Sequence, residues 1–471
     1  MNIKKILTFS LGPIGGALLG ILTIPILAWS FSPEDIGRFS ILQIIMSFSC
    51  ILFTMGLDQS YVREYYGCDN KSVLLKTVTL APLVIFFIFI IINLYNLDFF
   101  SEKFYQIKSS CLGLMTVICV LLTILLRYVS LTIRMQERGL IYSISQFTPK
   151  VLLLLFIFIL YILNWENLDF YNLIMIQLVS LFLIFLIFLI SIKNEIFSAF
   201  KSKIDFHLLK KLLVFGFPLV VSGLAFWLMQ SLSRIVLLDL STLNEVGIFG
   251  VAVSIAAGFS VLTAIFNTIW VPIIYKLVKE GRGIAEIEKV SEFIAFLTSF
   301  LILISCLFMP IIPKILPNTY SGIEYIFLLC ILQPLFYTLS ESTSVGILIS
   351  NKTKYSIVIS LFGLIFNYFL LIYLVPRYGA LGAALAVAIC FWMYFLIRTE
   401  FSNLLWERFS RIKIYISSLM SLLFVIFLVL EKITYLYAVL GTFLIFLINI
   451  ALFFPTLRVF LKNISIQLRS L

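Results

Sequence analysis

The chain has 471 residues, of which 62% are hydrophobic and only 12% charged, and Phe alone fills 47 positions. Its mean hydropathy is +1.13. Soluble domains carry roughly twice that share of charge, so a water-soluble globular protein, a disordered chain and a nucleic-acid-binding domain are excluded together. A membrane-crossing helix takes about 20 apolar residues, so fourteen would use about 280 and leave short connectors. Composition therefore predicts an all-α polytopic membrane protein.

Taken in chain order, apolar runs predict spans at Gly12–Phe31, Phe39–Met55, Leu80–Leu97, Cys111–Val129, Tyr142–Leu163 and Leu173–Ile192. A second set follows at Leu212–Leu232, Val246–Trp270, Phe293–Ile312, Tyr325–Ile349, Tyr355–Val375 and Ala380–Ile397, and two more at Ile412–Leu430 and Tyr435–Phe454. The formal net charge of +11 is explained by where the cations fall. With the N-terminus on the cytoplasmic side, 27 of the 34 basic residues sort to that side of the connectors, among them Lys4, Lys5, Arg63, Lys150, the Lys193–Lys211 group and Arg398. Only Arg38, Lys103, Lys108, Arg234, Lys314, Arg377 and Lys432 fall on the other. Such a bias orients membrane proteins through their short loops, and here it predicts that both termini are cytoplasmic, with no need for a nucleic-acid partner. The first apolar run is of span length and ends in Trp29 and a Ser-Pro turn, which does not read as a cleavable signal peptide.

Material for soluble-enzyme chemistry is scarce. The seven cysteines form no C-x-x-C pair, and His207 is the only histidine, so neither a zinc site nor a His-based triad can be assembled. The chain reads as a non-enzyme without a metal or organic cofactor.

Its organisation is two halves and an addition. The Lys193–Lys211 connector separates the first six spans from the next six, giving bundles at 1–200 and 201–405 and two further helices at 406–471. Asp35-Ile36-Gly37-Arg38-Phe39 opens the second span, and Glu245-Val246-Gly247-Ile248-Phe249 opens the eighth, 210 positions later. The same pattern at the same place in both halves points to an internal duplication. An even number of spans per copy gives both the same orientation, related by a pseudo-twofold axis along the membrane normal. Pro25 and Pro218 interrupt the equivalent first helices of the two halves, and Pro272, Pro310 and Pro334 interrupt later ones; such kinks fit helices that bend during alternating access.

The stretch from Gly12 to Gly67 joins a Gly-rich helix containing Pro25, the Ser-Pro-Glu-Asp-Ile-Gly turn at Ser32–Gly37 and the segment GLDQSYVRE at Gly56–Glu64. It resembles the Wzx-type polysaccharide and O-antigen flippases of the multidrug, oligosaccharidyl-lipid and polysaccharide exporter superfamily. The resemblance resumes at Phe215–Leu238, Asn244–Ala252, Asn367 and Leu374–Ala386, and so touches both halves. It implies a MATE-like fold and transport of an undecaprenyl-diphosphate-linked oligosaccharide across a bacterial inner membrane for O-antigen, capsule or exopolysaccharide synthesis. Polysaccharide polymerase machinery would be the associated partner, and H+, Na+ or no ion would drive the cycle. Family members often carry Asp before the Arg at the end of the seventh helix; here Ser233 precedes Arg234, so either Asp239 replaces that partner or the pair is absent. The competing readings are a multidrug or cation antiporter of the same superfamily and a membrane polysaccharide polymerase. The short external connectors, the longest at about Asn96–Ser110, argue against the polymerase.

Six residues are candidates for substrate contact or coupling. Arg127, at the cytoplasmic end of the fourth span, and Arg234, near the periplasmic end of the seventh, carry the group best shaped to hold a phosphate. Asp58 and Arg63 lie in GLDQSYVRE, and Asp239 follows Arg234. Glu341 is the deepest carboxylate, inside an apolar run, with Pro334, Tyr337, Thr338 and Ser344 near its helical face. Intramembrane charge is expensive unless it is paired, hydrated or neutralised. Glu341 is therefore expected to line a cavity, there accepting hydrogen bonds from sugar hydroxyls or carrying a coupling proton.

Overall fold

A computed structural model describes residues 3–93, 96–163, 168–280, 283–350, 352, 354–431 and 433–469. Asn167, Arg282 and Lys432 lie outside these, and the side chains of Lys4, Lys5 and Pro272 are likewise outside the description. Chain contacts divide the molecule into two units: 1–238 with 242–250, and 239–241 with 251–471. This division falls just past the seventh predicted span and within the eighth, later in the chain than the Lys193–Lys211 connector.

The first unit contains α1 (Ile3–Ser30), α2 (Pro33–Thr54), α3 (Leu57–Glu64), α4 (Lys71–Asn93), α5 (Leu97–Tyr105) and α6 (Ser110–Met135). It continues with α7 (Gly139–Ile162), α8 (Phe170–Ser191), α9 (Lys193–Lys201), most of α10 (Phe206–Leu240) and the start of α11 (Leu243–Ala256). The second unit follows with α12 (Ser260–Lys279), α13 (Gly283–Phe308), α14 (Ile312–Ile315), α15 (Ile323–Cys330), α16 (Leu332–Thr343) and α17 (Val345–Ile349). It ends with α18 (Lys354–Leu405), α19 (Ile412–Leu430) and α20 (Tyr435–Arg469).

Among the described residues, twelve helical stretches are long and apolar enough to cross a membrane. The predicted fourteen segments are reached through two others. In α1, only Leu18–Ser30 is counted, as a shorter apolar helix. At about 1.5 Å per residue, α18 with its 52 residues is far longer than one crossing of about 30 Å requires. Gly379 breaks it at φ 55° and ψ −130°, a backbone conformation that glycine adopts without penalty. The break falls between the predicted spans at 355–375 and 380–397.

The duplicated motif has a structural counterpart. Ser32 caps α2 by accepting from Asp35 N at 3.1 Å, and Thr242 caps α11 by accepting from Glu245 N at 3.3 Å, the same capping device 210 residues on. Acidic residues in both first turns complement the positive end of each helix. The two starts then pack on one another. A Cβ on Gly37 would strike the Leu243 carbonyl oxygen and lie 3.2 Å from Gly247 N. One on Gly247 would strike the Pro33 carbonyl oxygen and lie 3.2 Å from Gly37 N. Positions 33 and 37 thus meet 247 and 243 reciprocally, as a segment does when it pairs with its copy across a two-fold axis. Only glycine permits the approach.

Candidate functional site

In the first unit the site begins where α2 stops. Met55 and Gly56 both adopt left-handed conformations, at φ 48° and 74°, and turn the chain so that Asp58 falls in the first turn of α3. Asp58 is buried. Arg127 reaches it from α6, donating from Nε and Nη2 to Asp58 Oδ2 at 3.1 and 2.7 Å. Asp58 is only 11% exposed in its side chain, whereas Arg127 is 40% exposed. One edge of the guanidinium is therefore held while Nη1 has no partner among the described residues. Arg127 lines a cavity of about 230 Å³ together with Thr123, Ser130, Ser145 and Gln146, closed on the apolar side by Leu126, Pro149, Ile184 and Phe188. A second cavity in this unit, of about 410 Å³, is lined almost wholly by apolar side chains of α2, α4, α5, α6 and α10, including Ile45, Phe48, Phe86, Val120 and Trp227.

Arg63 lies one helical turn and a half beyond Asp58 and is not among the residues that line the cavity with Arg127. Its guanidinium stacks over Phe215 at 4.0 Å, and its neighbour Glu64 accepts from Lys211 Nζ at 3.0 Å. With the Ser60 hydroxyl donating to Leu212 O at 2.8 Å, these contacts fasten α3 to the start of α10. Arg234 is partly buried and engaged further along α10, and Asp239 is exposed at the end of that helix. Of the six sequence candidates, the structure joins Asp58 and Arg127.

Glu341 belongs to a different cluster, in the second unit. Arg398 Nη1 donates to Glu341 Oε1 at 2.6 Å and to Ser340 Oγ at 3.0 Å. The side chains of the pair are 13% and 15% exposed. The guanidinium also lies 5.3 Å from the ring centroid of Tyr394 and 5.9 Å from that of Tyr337, within cation–π range. Thr338 is hydrogen-bonded to Thr263 at 2.6 Å, and Thr343 to Thr399 at 2.6 Å. Of the polar stripe expected around Glu341, Thr338 is thus spent on joining helices.

Three charged residues escaped the sequence reading as site residues. Arg398 was counted with connector cations but sits on α18 against α16. Glu292 is buried in α13, hydrogen-bonded to Thr456 and 3.7 Å from Lys413 Nζ. Lys150 was also counted with connector cations, yet it is the twelfth residue of the 24-residue α7. The signal was present: Lys150 is the one charged residue in the predicted span from Tyr142 to Leu163.

Solved structures share this architecture. The lipid II flippase MurJ, in an inward closed conformation, superposes with a TM-score of 0.71 over 95% of this chain and 99% of that chain, at 18% sequence identity. An inward-facing multidrug resistance MATE family transporter of the MOP superfamily gives 0.56 over 82% and 94%, at 14% identity. A MATE protein in the straight conformation gives 0.51 over 85% and 95%, at 14% identity. The fold is therefore that of the MurJ and MATE proteins. A search of curated protein sequences gave no significant match. The family model described as polysaccharide biosynthesis protein matches residues 3–278, more than half of the chain, and the chain belongs to that family.

Proposed function

We propose that this protein flips an undecaprenyl-diphosphate-linked oligosaccharide from the cytoplasmic to the periplasmic leaflet of a bacterial inner membrane, by alternating access, to supply O-antigen, capsule or exopolysaccharide synthesis. The observation that carries the reading is Arg127, a guanidinium oriented by Asp58 that lines a cavity with Thr123, Ser130, Ser145 and Gln146 inside an apolar bundle. A diphosphate cannot cross hydrocarbon unaided, and a guanidinium is shaped to bind phosphate oxygens. Asp58 fixes the orientation and offsets much of the cost of the charge, while Nη1 stays available. The hydroxyls and amide of Thr123, Ser130, Ser145 and Gln146 would meet polar parts of the headgroup. The 410 Å³ apolar cavity would accept part of a hydrocarbon chain. Membership of the polysaccharide biosynthesis family and the likeness to a lipid II flippase support the substrate class.

In this reading both termini are cytoplasmic, and Arg234, at the opposite end of its helix from the Lys193–Lys211 connector, contacts the diphosphate near release. The Glu341–Arg398 pair holds α16 to α18 through the cycle, and a proton or Na+ that coupled to it would have to separate the pair. A cation exporter of the same superfamily is disfavoured because the charged group lining this cavity is itself a cation.

The test is flipping of a fluorescent undecaprenyl-diphosphate oligosaccharide in proteoliposomes, read by the fraction of label protected from an external quencher. Arg127→Gln should reduce the rate by more than tenfold at parental protein level, as expected for loss of a charge-assisted contact, and Arg127→Lys should retain an intermediate rate. Parental flipping by Arg127→Gln would remove the anion-binding role.

A further inference from the structure

The Gly-rich face of α1 packs against α7, and one charge is built into that contact. A Cβ on Gly12 would lie 3.0 Å from Ser143 Cα, and one on Gly15 3.3 Å from the Phe147 ring. The next position along this face of α7 is Lys150. Its Nζ donates to Gly16 O at 2.5 Å, and a Cβ on Gly20 would lie 2.8 Å from the same nitrogen. The glycines thus form a notch for an ammonium group. Small residues commonly bring membrane helices close together, but packing alone does not call for a lysine at the centre of the contact.

The lysine is deep. Eleven residues of α7 precede it and twelve follow, so at about 1.5 Å per residue it lies some 17 Å from either end of the helix. A lysine near a helix end escapes to the interface, but one at mid-span in a membrane has no such route. Among the described residues its partner is the Gly16 carbonyl, and no carboxylate pairs with it. An ammonium has three N–H donors, so two remain. The surroundings leave room for them: Lys150 is only partly buried, and a Cβ on Gly16 would meet nothing within 4 Å. The neighbouring residue Pro149 and the residue one turn back, Gln146, both line the cavity that holds Arg127.

We infer that Lys150 is a second intramembrane anion site, which takes a phosphate oxygen of the lipid-linked substrate beside the one held by Arg127. This rests on the flippase reading above and extends it to a residue on a different helix. The Gly16 carbonyl keeps the ammonium aimed and partly solvated while the site is empty, and the bond need not break when a phosphate arrives. Two cations on adjacent helices, one a planar fork and one a compact point charge, suit a diphosphate better than a single phosphate.

The test is equilibrium binding to the purified full-length protein in a neutral detergent, with undecaprenyl diphosphate, undecaprenol and phosphatidylglycerol as probes. The parent should prefer the diphosphate to undecaprenol. Lys150→Met should weaken the diphosphate about tenfold or more, in the range of a charge-assisted hydrogen bond, and leave undecaprenol unchanged. Lys150→Arg should stay within about threefold of the parent on the same scale. Parental diphosphate affinity in Lys150→Met would overturn the inference while leaving the flippase reading standing. So would an equal loss for undecaprenol, which marks a packing role, or an equal loss for phosphatidylglycerol, which marks a bulk-lipid contact. A parent that does not distinguish the diphosphate from undecaprenol would overturn the flippase reading and this inference with it. Lys150→Gln, which keeps a polar group in the notch, repeats the comparison if Lys150→Met does not fold.

Discussion

The Asp58–Arg127 and Glu341–Arg398 pairs are built from the same chemistry and differ in what surrounds the guanidinium. Arg127 is 40% exposed and lines a cavity that also holds three hydroxyls and an amide, with a carboxylate on one edge only. Arg398 is 13% exposed, shares Nη1 between Glu341 and Ser340, and lies among the rings of Tyr337 and Tyr394. A charge that keeps a donor in an accessible space can exchange water for a ligand. One whose surroundings are side chains of its own fold mainly fixes helix against helix. The comparison separates a binding group from a fastening group without appeal to depth, since both residues lie within apolar helices.

The largest effect that tests this contrast is on stability in the second unit. Removing one member of a buried pair leaves an uncompensated charge and typically costs about 3–5 kcal/mol, whereas replacing both by apolar groups is often nearly neutral. Arg398→Leu should therefore lower the unfolding midpoint in detergent sharply, and the double variant Arg398→Leu with Glu341→Leu should recover most of it. An Arg398→Leu protein that melts with the parent would show that the Glu341 carboxylate is hydrated, as expected of a cavity residue.

A smaller stability effect, joined to a larger functional one, is expected in the first unit. In Arg127→Gln the Asp58 carboxylate loses two charge-assisted hydrogen bonds, but the pair is less desolvated, Arg127 being 40% exposed, so the loss should be about 1–2 kcal/mol. Flipping should fall well beyond what that loss of folded protein explains. Comparable destabilisation in Arg127→Gln and Arg398→Leu would erase the distinction drawn between the two pairs.

How much of this was legible in the sequence follows from the range of the interactions. The helices were legible because each is a local run of apolar residues whose length the bilayer sets. Even the break in α18 was, since Val375-Pro376-Arg377-Tyr378-Gly379 interrupts the apolar pattern. The duplicated caps at Ser32 and Thr242 were visible as a repeat, although their mutual packing was not. Arg127 and Glu341 stood out as charges in apolar surroundings, but their partners are 69 and 57 residues away. Nothing local to Arg127 selects Asp58, and nothing local to Glu341 selects Arg398, because tertiary packing makes both choices. Lys150 was hidden by its arithmetic: grouped with the preceding cations it improves the charge bias, although the predicted span Tyr142–Leu163 already contained it, and the start of α7 at Gly139 moves it to the middle of its helix.

The smallest stability effect is expected from exchanging the first pair, Asp58→Arg with Arg127→Asp. The exchange keeps one positive and one negative charge and the bond between them, so attraction within the pair is conserved to first order. Some loss remains, because the longer side chain must now extend from the first turn of α3, where a cation also opposes the positive end of the helix by about 0.3–1 kcal/mol. The protein should therefore fold, with a net cost of about 1 kcal/mol. What changes is the group presented to Thr123, Ser130, Ser145 and Gln146, where a carboxylate now stands in place of a guanidinium. A pair that only fastens α3 to α6 should then tolerate the exchange in transport as it does in folding. A pair that presents a cation to an anionic headgroup should lose flipping as completely as Arg127→Gln, despite melting closer to the parent. Transport at the parental rate in the folded double variant would put Asp58–Arg127 in the same class as Glu341–Arg398.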